Sequence, residues 1–342
     1  MRILYVGNLA PRESSLFRFE AMRRLGHEVE GVDTAPCQSA GGRLLSAIRV
    51  RALVGPAIHR LNQAVLAAAR SFRPQIIWFD KPIFVRRATI LALRESGALT
   101  VQFCIDNPFG PRGDPGWRLL LQALPHCQVH LVQRDSNLVD YRNVGARDVR
   151  IFRTAYEPSI HFPPPPGWSD ADRTEGAIFI GAPYDDRPAF LNALAERAPV
   201  KIWGAPGPVW AQSTPALYQG SGLYGDDYRE ALWRAKICLS FVTHSNCDDV
   251  AHKSFEIAAC GAFLLAEDTP GHRDCFAADE EAVFFRDVES CAAAIRRYLG
   301  DEAARTRIAE AGCRRARESG YGNDARIEAI LHQLRANYPG LA

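Results

Sequence analysis

The most chemically loaded stretch of the sequence is Ser245-Asn246-Cys247-Asp248-Asp249-Val250-Ala251-His252-Lys253-Ser254-Phe255-Glu256-Ile257-Ala258-Ala259-Cys260-Gly261. It lies between two apolar runs that read as strands, so it opens in a strand-end loop and closes in a helix. Asp248 falls in that loop and Glu256 in the opening turns of the helix. Lys253 and the open N–H groups of a helix start favour a phosphate there. A carboxylate such as Glu256 can accept two hydrogen bonds from a ribose diol. The combined polarity fits a nucleoside diphosphate. The same residues also have a plain structural use, with Asp248 or Asp249 capping the helix and Glu256 a solvated acid near its start.

Other strand ends carry further polar residues. Ile76-Ile77-Trp78-Phe79 runs into Asp80-Lys81, and Thr100 to Ile105 runs into Asp106-Asn107. Asp106 therefore points to where strand-end loops bind ligands, although Asp-Asn-Pro-Phe-Gly is also strong turn chemistry. Asp80 and Lys81 read equally as an ion pair between neighbours. Gly7-Asn8 follows the first strand and lets backbone approach a ligand, as any tight strand-to-helix turn does. Three apparent motifs carry less. Gly220-Ser221-Gly222-Leu223-Tyr224-Gly225 spells G-x-G-x-x-G, but no strand is expected before it and no acid follows at the ribose-binding distance, so a flexible loop is expected. Asp170-Ala171-Asp172 sits in a proline-rich connector, and His126 with His130, or His244 with Cys247, is too sparse for zinc.

These residues need elements to hold them, and the elements are legible. Short apolar runs alternate with amphipathic stretches along all 342 residues, which predicts an α/β protein with parallel sheets covered by helices. Strands are expected at Ile3 to Val6, Glu28 to Val32, Gln75 to Phe79, Thr100 to Ile105, His130 to Val132 and Val149 to Phe152. A second series runs through Ala177 to Gly181, Val200 to Trp203, Ile237 to Val242, Ala262 to Leu265 and Val283 to Phe285. Four consecutive prolines, Pro163 to Pro166, interrupt the pattern, and no continuing helix tolerates them. The expected division is an amino-terminal domain over 1–165, a carboxy-terminal domain over 166–320, and a helical end over 321–342. Two doubly wound domains of this kind are expected to face a central cleft with their strand ends.

Composition narrows the partners. Net charge is +2 at pH 7, so nothing demands nucleic acid, and any anion site must be local. The nine cysteines form no C-x-x-C pair, which suits a reducing compartment. The opening residues lack a signal-peptide layout and no apolar run approaches a membrane span, so a cytoplasmic protein is expected. Arg43, Arg49, Arg51, Arg60, Arg70 and Arg73 decorate an apolar pattern over 43–73. Such a face can lie peripherally on the inner face of a membrane or receive an anionic acceptor. An exposed helix face in an arginine-rich chain is the plainer reading.

The segment 245–261 resembles the carboxy-terminal domain of CgeB-like glycosyltransferases. So do Gly261-Ala262-Phe263-Leu264-Leu265-Ala266-Glu267 and Glu281-Ala282-Val283-Phe284-Phe285. The resemblance extends to Ile76-Ile77-Trp78-Phe79-Asp80-Lys81, to Asp106-Asn107-Pro108, and to Phe179-Ile180-Gly181 followed by Arg187. It closes on Ile308-Ala309-Glu310-Ala311-Gly312 with Tyr321. These proteins are similar to the retaining glycosyltransferases of family 4, whose Glu-x7-Glu element corresponds here to Asp248 and Glu256. Lysine stands at position 253, where the family often has arginine, keeping the charge without the bidentate fork.

The resemblance implies the GT-B arrangement of two Rossmann-like domains, donor on the second and acceptor on the first, with the carboxy-terminal helix of 321–342 returning to pack on the first domain. It implies a hexosyltransferase-type enzyme that moves a sugar from a nucleoside diphosphate-sugar to the hydroxyl of a glycan, lipid, protein or small molecule. No cofactor and no metal are expected, and retention of configuration is. Glu256 would hold the donor ribose, Lys253 and Arg187 the diphosphate, and Asp248 the sugar hydroxyls, with Gly181, Ser254 and Phe255 completing the donor side. Asn8, Asp80, Lys81 and Asn107 would line the acceptor side. Asp106 would act as base on the acceptor if the sugar carbon inverts and would only orient it otherwise. Two alternatives stay open: a nucleotide-sugar-binding protein without turnover, and an NAD-dependent oxidoreductase. The second lacks its fingerprint, since Gly7-Asn8-Leu9-Ala10-Pro11 follows the first strand.

Overall fold

The structure, a computed structural model, describes residues 1–39 and 53–341. Among these residues are two parallel sheets of six strands each, with helices between successive strands, as the alternation predicts. The first sheet holds β1 (Arg2–Gly7), β2 (Glu28–Asp33), β3 (Ile76–Asp80), β4 (Leu99–Cys104), β5 (Val129–Val132) and β6 (Asp148–Ile151). The second holds β7 (Glu175–Ile180), β8 (Val200–Trp203), β9 (Tyr218–Gly220), β10 (Ala235–Ser240), β11 (Leu264–Glu267) and β12 (Val283–Phe285). Every residue of β3 is buried, as an apolar run covered by helices on both faces requires.

The strand orders are β2-β1-β3-β4-β5-β6 and β12-β11-β10-β7-β8-β9. In each sheet the winding reverses beside its first strand, between β1 and β3 and between β7 and β10. Loops leaving the carboxyl ends of those pairs diverge in opposite directions, which opens a crevice in doubly wound sheets. The G-x-G-x-x-G stretch does follow a strand, contrary to expectation: β9 pairs with β8 and a helix begins at Gly225. Three mostly polar residues on a sheet edge leave no hydropathy signal.

The chain forms two compact units, Met1–Thr154 with Asn323–Ala342, and Ala155–Gly322. The sequence places the division beside the prolines, at 165. The stretch before them is instead tied into the second unit. Tyr156 N–H donates to the Tyr321 carbonyl at 3.1 Å, Arg229 Nη1 to that of Ile160 at 3.1 Å, and Trp233 Nε1 to that of Phe162 at 2.9 Å. The helix Asn323–Asn337 packs on the helix Ser14–Arg24 and buries Ile327, Ile330, Leu331 and Leu334 in the first unit. An Arg24–Asp324 ion pair at 2.5 Å and a Tyr338 hydroxyl donating to Asp148 at 2.9 Å secure its two ends.

Of the basic stretch 43–73, Arg43, Arg49 and Arg51 lie outside the described residues. The described part is the helix Pro56–Phe72, with proline in its first turn and Arg73 in the left-handed region as its stop. It buries Ile58, Leu61 and Val65 and leaves Arg60, Arg70 and Arg73 exposed. No helix among the described residues is long and apolar enough to cross a membrane. The cysteines are all free, and only Cys247 is exposed.

Candidate functional site

The crevice position of the second unit is built from the loops after β7 and β10. Gly181 closes β7, donating its N–H to the Trp203 carbonyl at 2.9 Å and accepting Trp210 Nε1 at 2.9 Å. The end of β8 passes so close that a Cβ on Gly204 would lie 2.0 Å from the Gly181 carbonyl oxygen. Arg187 then starts the helix Arg187–Ala195 and turns back under the loops, only 9% exposed. Its guanidinium donates to the carbonyls of Ala182 at 3.1 Å and Val242 at 2.9 Å and to Thr243 Oγ1 at 2.9 Å. It thus clamps the loop after β7 to the loop after β10. Its Nε is buried without a partner. Asp185 strengthens the clamp by accepting the backbone N–H groups of His244 at 2.8 Å and Ser245 at 3.3 Å.

Beyond this clamp the chain passes Asp248, whose carboxylate accepts Asn246 Nδ2 at 3.1 and 3.3 Å. Neither Asp248 nor Asp249 caps the helix His252–Ala259, whose cap position is Ala251 and which has no side-chain cap. Instead Ala251 N–H donates to His272 Nε2 at 3.2 Å. His272 is fully buried, and its Nδ1 lies 2.7 Å from the Glu267 carbonyl oxygen. That contact assigns the proton to Nδ1 and leaves Nε2 to accept. Burial pushes His272 down to about 4, so the ring stays a neutral acceptor.

Glu256 projects from the next turn of this helix, its side chain 13% exposed. Tyr228 donates to Oε2 at 2.8 Å, and Lys253 Nζ lies 3.9 Å from the same oxygen. Oε1 faces His252 Nε2 at 3.3 Å and His161 Nε2 at 3.8 Å. Burial alone would raise this carboxyl, but His161, His252, Lys253 and the Tyr228 hydrogen bond outweigh it and hold it down to about 2. The group is therefore a permanent anion at neutral pH, an acceptor and not an acid. Lys253 lies over the Tyr228 ring at 4.5 Å, and its burial lowers its pKa against the opposing pull of Glu256.

The remaining expected donor residues lie beneath the site. Ser254 is fully buried, its Oγ 2.9 Å from Ser240 Oγ and 2.8 Å from His272 Nε2. Phe255 is fully buried against Tyr321 at 5.0 Å between ring centroids. Positions 254, 255, 257 and 258 form the inner face of the helix, so these side chains support the site from the core. Asp248, Lys253 and Glu256 remain partly exposed.

In the first unit the strand-end residues divide in the same way. Asp80 is 3% exposed and does not pair with Lys81. It accepts Arg18 Nε at 2.6 Å, Arg18 Nη2 at 3.1 Å and the Tyr5 hydroxyl at 2.6 Å, forming a buried bidentate pair. Lys81, with φ 48°, swings away and bonds Asp106 Oδ2 at 2.5 Å. Asn107 is buried and accepts Phe109 N–H at 3.0 Å and Asn137 Nδ2 at 2.9 Å. Asn8 accepts Ala10 N–H at 3.1 Å, an Asx turn. Lys81 and Asp106 are the members of this set that combine charge with exposure, 32% and 20% of their side chains.

Sequence reasoning missed His161, Tyr228, His252 and His272. His252 had a signal, since it stands one helical turn before Glu256 in the same motif. His161 and Tyr228 come from segments distant in sequence, and His272 from the helix Pro270–Cys275 after the next strand, where nothing local marks them.

Residues 187–332 match a family model described as glycosyl transferase-like, a span that includes Asp248, Lys253 and Glu256. No curated protein sequence matches the chain. Among solved structures it is similar to a sucrose-phosphate synthase from Thermosynechococcus elongatus, at TM-score 0.69 and 13% identity over 99% of each chain. The fold is GT-B. The chain is also similar to HepE from Anabaena in complex with UDP-glucose, at TM-score 0.68 and 12% identity over 98% of this chain and 100% of that one. A glycosyltransferase from Rickettsia africae gives TM-score 0.65 and 11% identity over 98% of each chain. A GT-B fold with a glycosyl transferase-like carboxy-terminal domain is thus common ground between the sequence reading and the comparisons.

Proposed function

We propose that this protein is a CgeB-like glycosyltransferase that takes a sugar from a nucleoside diphosphate-sugar and passes it to an acceptor hydroxyl. The observation that carries the reading is Glu256, a shielded carboxylate held ionised at the strand-end side of the second unit. A carboxylate has about four lone-pair sites, and its neighbours here leave capacity for a ribose diol. The likeness to HepE, a structure solved with UDP and with UDP-glucose, supports a nucleotide-sugar as donor.

In this reading Lys253 and the start of the helix His252–Ala259 take the diphosphate, and Asp248 takes sugar hydroxyls. Arg187 acts through the loops it clamps, adding positive potential beneath the diphosphate. As the acceptor oxygen bonds the anomeric carbon, the anomeric C–O bond breaks, the leaving diphosphate keeps the electron pair and takes the proton of the acceptor hydroxyl, and these fixed charges stabilise it without reorganising. Asp106, ion-paired with Lys81, orients the acceptor hydroxyl. Retention of configuration and independence of metal belong to the same proposal.

The test is release of nucleoside diphosphate from a panel of UDP-, GDP-, dTDP- and ADP-glucose, with the wild type and with Glu256→Gln. Slow release by the wild type and about 100-fold less by the variant is expected. Tight nucleotide binding without any release would point to a binding protein that has lost turnover.

A further inference from the structure

His161 belongs to the stretch before the prolines and is 5% exposed, yet its imidazole reaches the carboxylate on a helix far along the chain. Its tautomer is fixed from behind. Nδ1 accepts the Glu157 backbone N–H at 3.0 Å, so the proton sits on Nε2 and faces Glu256 Oε1 at 3.8 Å. The ring stands edge-on to Tyr228 with centroids 5.8 Å apart. Tyr228 in turn donates to the other carboxylate oxygen at 2.8 Å. Two buried rings packed against each other therefore address the two oxygens of one carboxylate. A group with this second-layer geometry orients its neighbour more than it stores energy.

We infer that His161 is a positioning residue for the donor: its Nε2–H fixes the rotation of the Glu256 carboxylate so that both oxygens meet the ribose diol. The inference rests on the donor reading above. At 3.8 Å the contact is longer than a hydrogen bond, and such contacts shorten when substrate completes the site. The charged and titratable groups around the ring are Glu256, Lys253, Glu157 and Arg229, with Tyr228 perpendicular to it and His252 on the same oxygen. Burial keeps His161 below its ordinary pKa, so it acts as a neutral donor near pH 7.

Three substitutions separate positioning from architecture. His161→Gln keeps an N–H at the place of Nε2. His161→Asn keeps an acceptor for Glu157 N–H but loses the donor, and His161→Leu loses both. The probe is whichever of UDP, GDP, dTDP and ADP binds the full-length wild type most tightly in calorimetry. Affinity within about two-fold of wild type for the Gln variant is expected, and about ten-fold weaker binding for Asn and Leu. A Gln variant as weak as Leu, or an Asn variant equal to wild type, would overturn the inference while leaving the donor reading standing. Absence of nucleotide binding by the wild type would remove the donor reading and this inference with it. A second readout needs no nucleotide: imidazole nitrogen shifts should report the Nε2–H form, and the Nδ1–H form would contradict the assignment.

Discussion

Glu256, largely shielded, and Asp80, buried, show two uses of a carboxylate in one chain. Glu256 is surrounded by neutral or partly exposed partners that leave capacity for another donor, whereas Asp80 is saturated by Arg18 and Tyr5. Removing Asp80 would strand a guanidinium that is 2% exposed. Asp80→Ala should therefore cost about 3–5 kcal/mol of unfolding free energy, measured by denaturant melts, and a loss below about 1 kcal/mol would contradict the structural role. At this scale the sequence carried Asp248, Lys253 and Glu256, because one local segment holds all three. It could not separate Asp80 from Lys81, since adjacent strand-end residues choose opposite partners only once Arg18 and Asp106 are placed. Ser254 and Phe255 were legible as part of the motif but not as core, which depends on which face of the helix meets the sheet.

The helix His252–Ala259 lacks a side-chain cap and relies on His272 to accept from Ala251 N–H. That arrangement ties the start of the site helix to protonation. His272 and, in the first unit, His130 are both held down to about 4 by burial, against an ordinary value of 6.5. For a depressed histidine the folded state refuses the proton that the unfolded chain accepts. Stability is therefore unaffected well above pH 6.5, falls as pH drops from 6.5 towards 4, and levels off below that. Each ring contributes on the order of 3 kcal/mol over that interval. Thermal midpoints measured from pH 8 to pH 4 should fall, and His272→Gln should flatten the fall. An unchanged slope in the variant would show that His272 is not the group responsible. The strands themselves were legible from apolar runs bounded by turns, whereas β9 was not, being short, polar and at a sheet edge.

Over the whole molecule, both units are doubly wound parallel sheets that differ in strand order, with two strands on one side of the reversal in the first and three in the second, and the final helix belongs to the unit that began the chain. Its apolar residues Ile327, Ile330, Leu331 and Leu334 are part of the core beside β1, β3 and β4. Truncation after Gly322 should abolish the cooperative melt of the first unit while the second unit still unfolds as a separate transition in calorimetry. Two intact transitions would contradict that account. The two-sheet architecture was readable from alternation alone, but the exact division was not. Prolines mark stiffness, whereas the hydrogen bonds of Tyr156, Arg229 and Trp233 decide which unit the connecting stretch joins. The central claim, that the second unit takes a nucleotide-sugar through Glu256, is tested most directly by calorimetric titration. Wild type and Glu256→Gln would be compared against UDP, GDP, dTDP, ADP and NAD, with and without EDTA. The account predicts saturable, EDTA-insensitive binding of one nucleoside diphosphate to the wild type and at least about 100-fold weaker binding to a variant that melts as the wild type does. Equal affinity in the two proteins, or binding of NAD alone, would contradict it.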